Sequence, residues 1–176
     1  LRRLLLRRLL LLRERRGGVR HHGGHHGRWH ADSTRGAIVK EQKNHPIVTG
    51  VKDIWGPSDV YRTYKEGTSL PEGCTALVWG QPLMGRSHDD APNEKKEPLP
   101  VAWFKTWKTS EGKSARVFHS TMGSGKDLES AGLRRLVINA TYWGIGLESS
   151  ISPTSNIDYV GPYKPLASGF NYEKLG

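Results

Sequence analysis

Five histidines crowd into one decapeptide, HHGGHHGRWH: His21, His22, His25, His26 and His30. Neutral imidazoles at such short spacing are donors for Zn, Ni or Cu, since nitrogen ligands suit borderline divalent metals. A catalytic metal centre would add a carboxylate from elsewhere and a second shell that fixes each ring. A second candidate is the loop from His119 through Gly123, Ser124 and Gly125 to Asp127. It enters a predicted helix, where backbone N–H groups favour an anion or a polar oxygen and glycines let a ligand reach the backbone. The loop lacks P-loop spacing and GxGxxG, and Asp127 already brings negative charge to the helix start, which disfavours phosphate. The competing reading is a tight turn with a capping Asp. A third candidate is the pair Asp59 and Tyr61, flanking Val60 in a segment expected to be a strand. Alternation would place both on one face, a pair suited to sugar hydroxyls. His119 reads as a core-edge histidine rather than a general base, and no nucleophile, base and orienting residue join into a triad. Catalytic residues stay unassigned.

The elements that must position these groups are clearest between Val101 and Leu147. VAWFKTW and ARVFHST read as apolar strands joined by the polar turn KTSEGKS, and DLESAGLRRLVINATYWG reads as a helix. Leu133, Leu136, Val137, Ala140 and Trp143 recur at helical spacing, the stripe of a helix docked on a sheet. Asp127 and Ser130 are candidate N-caps, and Gly146 stands where a left-handed residue would end the helix. A strand feeding through a Gly loop into a helix is the unit of open α/β sheets, which bind ligands at the carboxyl ends of parallel strands. Upstream, Ala37 to Val39 reads as a short strand, and HPIVTGVKDIWGPSDVYRTY as mostly loop, ending in a strand near Asp59 to Thr63. TALVWGQ reads as a strand buried on both faces, and GQPLMGRSHDDAPNEKKEPLP as an exposed hairpin or crossover loop. Asn139 and Tyr142 read as packing and hydrogen-bonding groups, and most of the tryptophans as core.

Composition sets the outer bounds. The chain has 176 residues, one domain by length, with 35% hydrophobic and 25% charged residues. A single cysteine, Cys74, excludes a disulfide framework; before TALVW it reads as a small core residue, since no helix follows to make a nucleophile elbow. The formal charge is +10, but eight arginines less one glutamate place +7 of it in residues 1–20. A nucleic-acid face needs basic residues presented together on a folded surface, so no nucleic-acid partner is expected. Residues 1–20 form a Leu/Arg low-complexity segment with three readings: a disordered or artefactual start, a targeting or membrane-surface helix, or part of the fold. Its apolar run is too short to span a bilayer, and no transmembrane segment is expected. Residues 151–176 lack helical periodicity and read as an extended C-terminal arm.

PVAWFKT, ARVFHSTMGSGKDLES and GLRRLVINATYWGIGLE resemble the closing strands and helix of the ThuA-like (trehalose-utilisation) family. The resemblance extends upstream through PEGCTALVWGQPL, NHPIVTGVKDIWGPSDVY and DSTRGAIV, over roughly residues 21 to 165. It implies an α/β fold, a partial flavodoxin-like or class I glutamine amidotransferase-like open sheet without catalytic machinery. Residues 21–150 would be the C-terminal part of that domain, with the N-terminal strands missing. His25, His26, Gly27, Arg28 and Arg35 match in type a family segment preceding STRG, while Trp29 and His30 depart from it. Ser124 stands near a position where many family members carry histidine. The resemblance also implies a carbohydrate partner and favours a periplasmic or secreted setting, with a cytoplasmic one as the alternative. The candidate ligand set is His25, His26, Arg28, Asp59, Tyr61, Gly123, Ser124 and Asp127. No cofactor is required by the sequence; a divalent metal on His25 and His26 is the one possibility it raises. The alternative is a non-catalytic structural or interaction module of a larger bacterial protein, associating as a homo-oligomer or through an exposed sheet edge.

Overall fold

The structure is a computed structural model and describes residues 32–61 and 70–166. Five strands form one curled sheet: β1 (Thr34–Ile38), β2 (Ile54–Gly56), β3 (Thr75–Pro82), β4 (Leu99–Lys108) and β5 (Ser114–Ser120). Their order across the sheet is β2-β1-β3-β4-β5, and one helix, α1 (Ala131–Gly144), packs against it. The class is α/β, as expected. Every pairing between the described strands is antiparallel, however, so the parallel crossover suggested by the strand–loop–helix unit is not found there. The connections explain why. β4 returns into β5 through a five-residue turn closed by Thr109 N–H to the Lys113 carbonyl, with Gly112 at φ 77. A glycine in the left-handed region at that point is what such a hairpin loop requires, and a hairpin joins only antiparallel neighbours. The stretch between β3 and β4 is likewise a hairpin, tied by the Leu83–Pro92 bridge and by Met84 N–H to the Ala91 carbonyl.

Helix α1 forms where its stripe predicts. Leu133, Leu136, Ala140 and Trp143 are buried, and Val137 is half-buried at the stripe's margin. The four buried residues meet Ile47, Val48, Ile54, Val78 and Ala102 in one core. Ser130 is the N-cap, its hydroxyl accepting from Leu133 N–H at 3.3 Å. Asp127 is not a cap of α1; it opens a separate turn of 3-10 helix, Asp127–Glu129. At the other end Leu147 N–H reaches the Tyr142 carbonyl, Gly146 N–H reaches that of Trp143, and Gly146 has φ 81. That pair of bonds is the Schellman closure that a left-handed glycine permits. Asn139 is buried and donates to the carbonyls of Ile47 and Thr49, pinning the turn Pro46–Val48 under the helix.

Three local expectations need correction. Val60 and its neighbours Asp59 and Tyr61 are not in a strand; the extended run is Ile54–Gly56 instead, and Gly56-Pro57 ends it because proline offers no ladder donor. Cys74 is half-buried rather than core, in the turn that precedes β3. Trp107 is 56% exposed, since alternation along β4 turns it away from the helix that covers Phe104.

Residues 151–166 run without regular structure along α1. Arg134 donates to the Ile157 carbonyl and lies over the Tyr159 ring at 4.3 Å, while Arg135 donates to the carbonyls of Ser152 and Ser155. Tyr159 stacks on Tyr163, whose hydroxyl donates to the Gly125 carbonyl at 2.6 Å.

Candidate functional site

Of the predicted site residues, Gly123, Ser124 and Asp127 come together with Ser58, in the segment after β2 that leads to Asp59 and Tyr61. Their junction is Asp127, fully buried. One carboxylate oxygen accepts from Ser58 N–H at 3.0 Å; the other accepts from the Ser58 hydroxyl at 2.6 Å, Gly123 N–H at 2.9 Å and Ser124 N–H at 3.0 Å. Four donors satisfy the buried charge, so the burial is sustainable. The Ser58 and Ser124 hydroxyls lie 3.1 Å apart, and the Ser58 carbonyl accepts from Thr34 on β1 at 2.6 Å. Gly56 is required by this arrangement, because a Cβ there would lie 2.3 Å from a carboxylate oxygen of Asp127. Asp127 therefore fixes two loops in place rather than offering a free acid or base.

What the lock presents to solvent is the usable surface. Gly123 is exposed at φ 149, with no atom within 4 Å of where a Cβ would point. Ser124 beside it is half-buried. On the opposite loop Tyr61 is 51% exposed and hydrogen-bonds to the Asp59 side chain. Burial first, then the negative charge and hydrogen bond of Asp59, push the phenol pKa up, which keeps Tyr61 a neutral donor and acceptor. Asp59 and Tyr61 are thus neighbours through this bond, not through strand alternation. The Ser124 hydroxyl beside the open Gly123 backbone, and the exposed Tyr61 phenol further along the other loop, are groups that hydrogen-bond a polyhydroxylated ligand, while one Asp59 carboxylate oxygen is buried. His25, His26 and Arg28 lie outside the described residues. Among the described residues no group of three or more His, Cys, Asp or Glu is placed to hold a metal ion.

His119 is exposed on β5 and stacks on Trp103 at 4.2 Å, so the core-edge reading is replaced by a surface ring covering a tryptophan. A polar cluster that sequence reasoning missed lies across β1 and β2. His88 places Nδ1 2.7 Å from Asp89 and Nε2 2.8 Å from Asp53, and its ring meets Trp55 edge-on at 5.9 Å. Arg35 donates to the His88 carbonyl. Trp55 Nε1 donates to the buried Ser33 hydroxyl, which donates to the Gly85 carbonyl. Hydrogen bonds to Asp89 and then Asp53 raise the His88 pKa. The available signal was the acidic run after His88 in RSHDD; its partner Asp53 is 35 residues away and was not legible.

Compared with known proteins, the chain matches no family model, no curated protein and no solved structure.

Proposed function

We propose that this is a ThuA-like domain protein serving the utilisation of trehalose or a related sugar, with its ligand face between Tyr61 and the Gly123 loop. One observation carries the reading: Asp127 staples Ser58, the residue before Asp59, to Gly123 and Ser124, and the Gly123 backbone is open. The ordered sequence blocks of the resemblance supply the family and the sugar class. In this reading the antiparallel strands are the C-terminal portion of a flavodoxin-like, amidotransferase-like sheet, in a periplasmic or secreted protein. The resemblance adds His25, His26 and Arg28 to the ligand set, with the two histidines as its candidate metal ligands. A thermal-shift panel of disaccharides, polyols and divalent metals tests it. Trehalose or a related sugar is expected to raise the melting temperature, and Tyr61→Ala is expected to remove that rise without lowering unliganded stability. No shift across the panel, or an undiminished shift in Tyr61→Ala, sinks the reading.

The second reading, a non-catalytic interaction module, draws on the same carboxylate. All four donors to Asp127 are internal, which is how a loop scaffold is built.

A further inference from the structure

Among the described residues β5 has no strand on its outer side. Edge strands are ordinarily blunted by proline, charged side chains, a bulge, short length or a covering segment. β5 has seven residues, SARVFHS, with no proline or lysine, and pairs with β4 in unbroken register. Its backbone polarity follows from the ladder. Thr121 N–H donates to the Val101 carbonyl and Thr109 N–H to that of Lys113, which fixes the hydrogen-bonded pairs flanking this hairpin. Because such pairs alternate, Val117 and His119 direct their backbone groups to Lys105 and Trp103 on β4. The backbone groups of Ser114, Arg116, Phe118 and Ser120 therefore point away from the sheet.

We infer that β5 pairs antiparallel with β5 of a second copy of this chain, about a two-fold axis through Val117. Arg116 then faces Phe118 of the partner and Ser114 faces Ser120, all with outward backbone groups, and all seven residues overlap. Shifting the axis to Arg116 would oppose two arginines, which is unfavourable. The strand's one formal charge is already held within its own chain, where Arg116 bonds Glu148 at 2.9 and 3.0 Å. Two copies of a basic protein thus meet along a strand whose charge is internally paired. Val117, 53% exposed, would meet its symmetry mate on the face that also carries Trp107.

The register is testable in the full chain carrying Cys74→Ser. Val117 would oppose itself as a non-hydrogen-bonded pair with Cα atoms about 4.5 Å apart, within the span of a disulfide. Ala115 would lie four residues out of register from its mate, about 13 Å away. Val117→Cys is expected to form a disulfide dimer under mild oxidation and Ala115→Cys is not. The parent is expected to sediment as a dimer and Val117→Lys as a monomer with unchanged circular dichroism. A monomeric parent, equal cross-linking at both positions, or a dimer indifferent to Val117→Lys overturns the inference. Slow amide exchange at Arg116 and Phe118 in a monomer would do the same, by showing the edge covered within one chain.

Discussion

Two carboxylate-centred clusters flank β2, and they differ in what burial makes of the same chemistry. Asp127 is fully buried and bonded to three backbone amides and a hydroxyl. Asp53 and Asp89 lie at the surface, with side chains 63% and 92% exposed, and hold a histidine that is itself 46% exposed. In the first cluster the acceptor is buried and its donors are part-buried, so a lost partner is replaced by water only in part. In the second, solvent screens the ion pairs and replaces any partner that is removed. The first determines where the loops lie. The second rests on a surface already shaped by β1, β2 and Trp55.

Removing Asp127 is the harshest way to break this contrast. Asp127→Ala is expected to cost about 3–5 kcal/mol, from four part-buried hydrogen bonds losing one buried acceptor at once, read by denaturant unfolding. A cost below about 1 kcal/mol would mean that water reaches the site and the lock is not buried. Ser58→Ala keeps the amide donors and removes one hydroxyl, so about 1–2 kcal/mol is expected.

His88→Ala should move the unfolding midpoint least of the three, and its effect is better read by titration. His45 supplies the opposite case. It stacks on Phe104 at 4.4 Å and nears Trp143, so burial, then the charge of Arg116, lower its pKa. As pH falls, the unfolded chain protonates His45 first. Its contribution is therefore intact above the ordinary value of 6.5 and is lost as pH falls through the folded-state value. His88 runs the other way, contributing fully below 6.5 and losing that contribution as pH rises through its elevated folded-state pKa. NMR titration of the two rings should bracket 6.5 from opposite sides; midpoints in the reverse order would contradict both environments.

Local signals were legible in the sequence, and distant pairings were not. The α1 stripe, the Ser130 cap, the Gly146 terminus and the strands of the β4–β5 hairpin follow from neighbours a few residues apart. The register of β1 between β2 and β3 depends on contacts across the chain that no periodicity encodes. Asp127 was singled out for its place before a helix, yet its partner Ser58 is 69 residues away, in the turn Gly56-Pro57-Ser58. At its described residues, Asp59 to Tyr61, the predicted strand is absent for a related reason: alternation of Asp59, Val60 and Tyr61 is also what a loop shows when one apolar side chain packs inward, as Val60 does beside Gly80.

The ligand face proposed between Tyr61 and Gly123 is tested most directly by titrating trehalose into isotopically labelled protein and following backbone amides. Saturable shifts confined to Asp59, Tyr61, Gly123, Ser124 and their neighbours are the predicted result. Shifts centred instead on His88 and Trp55, or no saturable shift with any sugar of the panel, would contradict the account.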